Sequence, residues 1–299
     1  MKKIAILGSN GYIARNLKYI LEKEHPEYEI WLYGIEPASV DGYANYTRVD
    51  VTDPESIRNL DLDCDIVYDL VGRTGTMVGF EQYKSFIDIN ETALLNLLTE
   101  YRRQNSHAKI VFPSTRLVYK GSPAPLSEDA EKEFKTIYAI NKFACEQYLE
   151  QYNRMFGVQY CVFRICVPYG TMISDASSYG TAEFMLGKAS KGENISLYGD
   201  GSVRRTLTFM ADLCKTLAEG GISDKCVNDI YNIGGENYSL REMAEPIAAK
   251  YGVKVEYVPW PEGSLLIESG DTVFDSSKLD ALIGKHTTSH FADWIEGRI

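Results

Sequence analysis

Apolar and polar positions along the first half of the chain follow two alternating patterns. Lys3-Ile4-Ala5-Ile6-Leu7 is a short apolar run that reads as a buried strand, and Ile13, Leu17, Ile20 and Leu21 then recur at helical spacing until His25-Pro26 ends the helix. Four more runs, Glu29 to Tyr33, Tyr46 to Val51, Asp65 to Val71 and Lys109 to Pro113, are too short for helices and are bounded by polar or breaker residues. Between them, Phe80 to Arg103 carries an apolar face of Ile89, Ala93, Leu94, Leu97, Leu98 and Tyr101, which predicts one long helix. Ile137 to Met155 predicts another, after the loop Ser122-Pro123-Ala124-Pro125. Strands alternating with helices are βαβ units, and such units build a parallel sheet.

Beyond a strand at Gln159 to Cys166 the alternation loosens into Gly- and Ser-rich turns, an Ile195 to Tyr198 run and a capping box at Ser239-Leu240-Arg241-Glu242. A smaller, mixed second lobe is expected there. Pro246 lies inside the helix that the box starts, which predicts a kink or a late start. The chain carries no internal repeat, low-complexity tract or obvious linker.

Composition narrows the function classes. With 299 residues, 44% of them hydrophobic and 24% charged, the chain can bury a large core and has little room for disordered tails. The formal net charge is −11 and the Lys and Arg residues are scattered, so a nucleic-acid partner is not expected. No long apolar stretch or signal-type segment precedes the first strand, so neither a membrane partner nor a targeting segment is expected. The cysteines, at 64, 145, 161, 166, 214 and 226, form no C-x-x-C pair and read as reduced core thiols, from which a cytoplasmic location follows. His286 and His290, four apart, have metal-ligand spacing, but their Thr- and Ser-rich setting reads as a solvated loop, and no metal is expected.

The first turn carries chemistry. Gly8-Ser9-Asn10-Gly11-Tyr12-Ile13-Ala14 is a G-x-x-G-x-x-A pattern between a strand and a helix, where missing β-carbons let the backbone approach a pyrophosphate and the helix N-terminus offers N–H groups to its charge. The dinucleotide contacts expected here are Gly8, Asn10, Gly11, Tyr12 and Ile13. After the second strand, Leu32-Tyr33-Gly34-Ile35-Glu36 offers Glu36 to a ribose hydroxyl, and no Lys or Arg occurs from Ile30 through Thr47 to meet a 2′-phosphate. NAD is therefore the expected cofactor, with Asp50 and Val51 flanking its adenine.

Tyr138-Ala139-Ile140-Asn141-Lys142 puts a phenol and an ammonium one helical turn apart. A tyrosine with an ordinary pKa near 10 needs a nearby cation to serve as a base at neutral pH, and Lys142 and an oxidised nicotinamide both supply charge. Upstream, Pro113-Ser114-Thr115-Arg116-Leu117 follows the fifth strand, on the side of a parallel sheet that faces the ligand crevice. A hydroxyl from Thr115 or Ser114 can hold the reacting oxygen within reach of Tyr138.

Taken together, Gly8, Gly11 and Ala14, Asn90 within Asp88-Ile89-Asn90-Glu91, Ser114-Thr115, and Tyr138 with Lys142 resemble, in order and spacing, the extended short-chain dehydrogenase/reductase family of nucleotide-sugar epimerases and dehydratases. Phe163-Arg164, Tyr169-Gly170, Tyr198-Gly199-Asp200-Gly201-Ser202-Val203-Arg204-Arg205, Tyr231-Asn232-Ile233-Gly234-Gly235 and Asp275-Ser276-Ser277-Lys278-Leu279 extend the resemblance over essentially the whole chain. It implies an α/β fold with a Rossmann-type doubly wound parallel sheet and a smaller mixed α/β substrate lobe. Residues 1–165 would form the dinucleotide-binding domain and 166–299 mainly the substrate lobe, with part of 207–234 returning to the first domain. It further implies Thr115 as hydroxyl partner, Tyr138 as base, Lys142 as the residue that holds the cofactor ribose and tunes Tyr138, and Arg205 as a diphosphate ligand. Ser114, Thr115, Tyr138 and Arg205 would contact the sugar nucleotide.

Three departures bear on the reaction. Where the family's 4,6-dehydratases follow the hydroxyl residue with an Asp-Glu acid/base pair, this chain has Arg116-Leu117, which disfavours dehydration. Val167 stands where many family epimerases carry Asn, and Asp69-Leu70-Val71-Gly72 is an unusual end to the fourth strand. The expected function is an NAD-dependent epimerase acting at C4 of a nucleotide-linked sugar. A 4-ketoreductase of a 4-keto-6-deoxy nucleotide sugar is the alternative, and a non-catalytic dinucleotide sensor would leave Thr115, Tyr138 and Lys142 unexplained. The resemblance, with the two long helical stretches, also implies a homodimer.

Overall fold

Strand β1, Lys3–Leu7, lies in the middle of a sheet, with every residue after Lys3 buried. Helix α1, Tyr12–Glu24, buries Ala14, Leu17, Ile20 and Leu21 on the face that the apolar spacing predicts. Strands β2 (Glu29–Gly34) and β3 (Tyr46–Arg48) build outward on one side of β1, and β4 (Ile66–Asp69) pairs with its other side. Two short helices, α2 (Val78–Glu81) and α3 (Tyr83–Ile87), a π-helical turn at Asp88–Thr92 and α4 (Ala93–Arg103) lead to β5 (Lys109–Thr115). Helix α5 (Ile137–Phe156) and strand β6 (Tyr160–Ile165) follow. The remainder is β7 (Val167–Tyr169), α6 (Thr181–Ala189), β8 (Ile195–Tyr198), β9 (Arg204–Phe209), α7 (Met210–Ile222), β10 (Asp229–Asn232), β11 (Glu236–Ser239), α8 (Leu240–Tyr251), β12 (Val255–Val258) and short C-terminal helices. This computed structural model describes residues 2–174 and 180–299.

Seven parallel strands form one sheet in the order β10-β6-β5-β4-β1-β2-β3. Strands as apolar as β4 and β6 need cover on both faces. Ile4 and Ile6 of β1 pack with α1 and α7 on one face, and Ala5 and Leu7 pack with α4 and α5 on the other. The result is the doubly wound sheet expected from the alternation. The order reverses between β1 and β4, which opens a crevice at their carboxyl ends. A three-stranded β11-β9-β7 sheet and a parallel β12-β8 pair surround a third apolar cluster that includes Tyr169, Leu207, Met243, Ile247 and Phe291, giving a mixed second lobe. No helix among the described residues is long and apolar enough to cross a membrane.

Three local expectations change. Phe80 to Arg103 is not one helix: the chain breaks at Gln82, and the extra residue of the π-helical turn shifts the phase at Asp88–Thr92. That shift buries Asn90, whose Oδ1 accepts the Arg73 N–H at 2.8 Å while its Nδ2 donates to the Arg73 carbonyl at 3.0 Å, so the side chain clamps the loop after β4. The third strand ends at Arg48 rather than Val51, because Asp50 Oδ1 accepts from Thr52 N and Oγ1 at 2.9 and 2.7 Å and turns the chain. Helix α8 starts at Leu240 without delay, since both halves of the Ser239/Glu242 capping box form, and it continues through Pro246 to Tyr251.

Candidate active site

The turn from β1 into α1 is shaped by what cannot fit there. Gly8 has φ +68°, and a Cβ on it would stand 2.9 Å from the Leu70 carbonyl carbon and oxygen, so both conformation and space exclude a side chain. Gly11 is the N-cap of α1 and brings no capping side chain, so the positive end of the helix dipole faces the turn, where an anion is favoured. Asn10 ties this turn to the loop after β2: its Nδ2 donates to Glu36 Oε2 and the Ala38 carbonyl, each at 3.1 Å, and its Oδ1 accepts the Val40 N–H at 3.0 Å. Arg15 is held by Asp41 through bonds of 3.0 and 2.6 Å. The Arg48 Nε donates to the Ile35 carbonyl at 3.0 Å.

From this turn a crevice runs along the carboxyl ends of the central strands. One part, about 260 Å³, is bordered by Gly8, Asn10, Gly11, Glu36, Asp50 and Val51. The other, about 520 Å³, is bordered by Tyr12, Ile13, Ser114, Thr115, Tyr138 and Lys142 among others. Gly11, Leu70, Val71 and Gly72 line both parts, so the two are continuous. A dinucleotide fits these residues: a cradle without Cβ atoms, a carboxylate at one end and a buried ammonium at the other. Tyr12 also donates its hydroxyl to the Gly170 carbonyl, joining the glycine turn to the second lobe.

Strand β5 and helix α5 build the reactive end. Adjacent strand residues point to opposite faces, and this separates two hydroxyls that the sequence leaves equivalent. Ser114 donates to the buried Glu146 carboxylate of α5, whereas Thr115 lies beside Tyr138 on the crevice, close enough for its side chain to act on the phenol. Burial pushes the Tyr138 phenol up to about 12, and the neighbouring Thr115 opposes that rise. Lys142, one turn further on, is buried with its Nζ 4.2 Å from the Phe112 ring centroid. Burial lowers its pKa, while Cys145, Asp69 and Glu146 work against the shift.

Arg205 stands apart from the crevice lining. It is buried on β9, where Nη2 donates to Glu268 Oε1 at 2.7 Å and Nη1 donates to the Gly270 and Arg204 carbonyls at 2.6 and 2.9 Å.

Three further groups join the site without having been singled out as site residues. Asp69 ends β4 in a buried position, where desolvation pushes its carboxyl up to about 6 against the attraction of Lys142; its sequence signal is a carboxylate ending an apolar strand. Behind Ser114, Arg164 donates Nε and Nη2 to the two oxygens of Glu146 at 3.0 and 2.6 Å, and Nη1 to Tyr119 Oη at 2.7 Å. Its signal is an arginine inside the apolar strand β6. Arg116 borders the larger part of the crevice, next to Thr115.

Residues 4–234 match the profile of the NAD dependent epimerase/dehydratase family. A Methanocaldococcus jannaschii protein provisionally named a UDP-glucose 4-epimerase is 28% identical over 174 residues, or 57% of this chain and 56% of that protein, so the chain spans about half the length of this relative. The UDP-N-acetyl-alpha-D-glucosaminuronate decarboxylase of Bacillus cytotoxicus is 26% identical, over 87% of this chain and 84% of that one. Among solved structures, Thermus thermophilus UDP-glucose 4-epimerase in complex with NAD superposes with a TM-score of 0.84 at 22% identity, covering 99% of this chain and 100% of that one.

Proposed function

Because this chain belongs to the NAD dependent epimerase/dehydratase family, we propose that it is a nucleotide-sugar epimerase that inverts C4 through a transient 4-keto sugar. The observation that carries the reading is the placing of Thr115 and Tyr138 together on the lining of a crevice in which Arg116 and Leu117 follow Thr115. Gly8, Asn10, Gly11, Tyr12 and Ile13 hold the cofactor's pyrophosphate end, Glu36 its adenosine ribose, Asp50 and Val51 its adenine, and Lys142 its nicotinamide ribose. NAD, when bound, supplies the acceptor and donor of hydride for C4 and, in its oxidised form, a positive charge beside the phenol. Thr115 orients the 4-oxygen by a hydrogen bond. Tyr138 takes the proton from that oxygen and later returns it. Leu117 cannot relay a proton, and the Arg116 guanidinium is too basic to accept one, so elimination of a 6-hydroxyl has no acid/base pair. Ser114, on the crevice lining, is held by Glu146, and Arg205 acts from behind the wall through Glu268.

On this reading residues 1–165 hold the dinucleotide and 166–299 mainly the sugar nucleotide, with part of 207–234 serving the first domain. The test is to incubate the protein and catalytic NAD with UDP-, dTDP-, GDP- and CDP-sugars and follow products by NMR. The expected product is the C4 epimer of one of them; a requirement for stoichiometric reduced cofactor would point to ketoreduction and overturn the proposal.

Selectivity for NAD over NADP follows from Glu36, whose charge opposes a 2′-phosphate, while Arg15 is engaged with Asp41. Glu36→Arg is expected to shift the NAD/NADP affinity ratio toward NADP by about tenfold, the scale of one charged hydrogen bond. Fluorescence titration with both cofactors measures it, and an unchanged ratio contradicts the assignment.

The protein is further proposed to be a homodimer paired through α3 and α5. Tyr83 and Ile87 on α3 and Ile140 on α5 are 57, 40 and 47% exposed, an apolar strip that association would cover. Light scattering at micromolar concentration is expected to give twice the monomer mass; the monomer mass would refute the pairing.

A further inference from the structure

The larger part of the crevice has an imbalance of charge. Its charged lining residues are Arg116 and Lys142, and among the described residues no carboxylate borders it, in a chain whose formal net charge is −11. Lys142 has the nearby Asp69 behind it. Among the described residues Arg116 has no such counterpart. Its neighbours in charge are Arg205, which repels it, and Glu268, whose Oε1 already accepts from Arg205 Nη2 at 2.7 Å and Gly270 N at 2.9 Å. Cys166, also close by, donates its thiol to the Thr272 carbonyl at 3.2 Å, and burial holds it protonated. Two guanidiniums thus share one carboxylate, which leaves one positive charge in excess at the wall. Burial and Arg205 bring the Arg116 pKa down to about 10, so the group is still charged at neutral pH. Its Nη1 is buried and has no hydrogen-bond partner among the described residues. A buried donor in that state is unfavourable until an acceptor arrives.

We infer that Arg116 binds a carboxylate carried by the sugar, so that the substrate is a nucleotide-linked hexuronate with its carboxylate at C6. The inference rests on the C4 reading above. Arg116 follows Thr115 directly, about 3.8 Å away from Cα to Cα, and Thr115 lines the crevice beside the phenol at which the 4-oxygen reacts. On a pyranose ring the diphosphate leaves from C1, across the ring from C4, whereas C5 and its C6 substituent adjoin C4. The anion within easy reach of a side chain next to Thr115 is therefore at C6. An arginine fork matches a carboxylate with two parallel N–H···O bonds. A C6 carboxylate also has no hydroxyl to eliminate, in keeping with Arg116-Leu117 in place of an acid/base pair.

The experiment measures binding without requiring turnover. Calorimetry with NAD present, in a Tyr138→Phe background that preserves the ligand, compares hexuronate and neutral hexose nucleotides that differ only at C6, as UDP, dTDP and GDP pairs. In at least one pair the uronate is expected to bind on the order of 10- to 100-fold more tightly. Arg116→Met should erase that difference and leave the neutral partner's affinity little changed. Arg116→Lys, which keeps the charge and loses the fork, should retain part of it. Unchanged NAD affinity identifies variants that fold, and if Arg116→Met does not, the parent pairs and Arg116→Lys decide. Equal weakening of both members of a pair would assign Arg116 to the diphosphate and overturn the inference. So would the absence of uronate preference in every pair. Turnover of a preferred uronate to a pentose by loss of carbon dioxide would instead refute C4 epimerisation while the carboxylate contact stands.

Discussion

Tyr138→Phe is expected to fold and bind NAD as the parent protein does while losing turnover by about a hundredfold to ten-thousandfold, the usual effect of removing a positioned acid/base group. The substitution deletes one oxygen from a half-buried ring and leaves the volume of α5 almost unchanged. The polar interaction lost is the one with Thr115, worth no more than a hydrogen bond. A single neutral hydrogen bond contributes about 0.5–1.5 kcal/mol, too little to unfold a domain of this size. The chemical effect is large because that oxygen is the group placed to carry the proton. Burial pushes the phenol up to about 12, so that oxygen carries its proton at neutral pH. Steady-state turnover on the preferred nucleotide sugar, with calorimetric NAD binding as the control for folding, measures the effect. Turnover near that of the parent would remove Tyr138 from the reaction.

Glu146→Ala is expected to cost stability rather than chemistry alone. Glu146 and Arg164 are 0 and 2% exposed, and Arg164 grips both carboxylate oxygens. Ser114 donates to the same carboxylate, so the pair also fixes the end of β5 next to Thr115. Removing the carboxylate strands a guanidinium in the core, where breaking a buried pair typically costs about 3–5 kcal/mol. Urea unfolding measures it, and Glu146→Gln, which retains an acceptor oxygen, should lose less. A loss below about 1 kcal/mol, the range of an exposed ion pair, would contradict the structural role assigned here.

The parts of the fold that the sequence discloses are those encoded within a few residues. The apolar run of β1, the glycine turn, the spacing of α1 and the i, i+4 placement of Tyr138 and Lys142 are all local, and each is found where its pattern puts it. The π-helical turn escapes such a reading because Ile89 and Ala93 satisfy helical spacing whether or not an extra residue is inserted; what selects the insertion is Asn90 reaching the Arg73 backbone. Which of Ser114 and Thr115 faces Tyr138 depends on the phase of β5 against α5, and no spacing in the chain states it. The grouping of Arg116, Arg205 and Glu268 is a matter of tertiary packing, so its excess charge is invisible until β5, β9 and the segment around Glu268 are brought together. Asp69 belongs to a strand end that the sequence marks as unusual, but its raised pKa comes from burial, which the sequence does not state.

The most direct test of the account is to follow a C4-deuterated nucleotide sugar, hexose or hexuronate, through the reaction in ordinary water with NAD in catalytic amount. Inversion through a transient ketone requires the label removed from C4 to return to C4 of the epimer, with NAD unchanged at the end. The expected NMR spectrum therefore shows the epimer with deuterium retained at C4. Accumulation of a stable 4-keto-6-deoxy sugar, or product formation only with stoichiometric reduced cofactor, would contradict it.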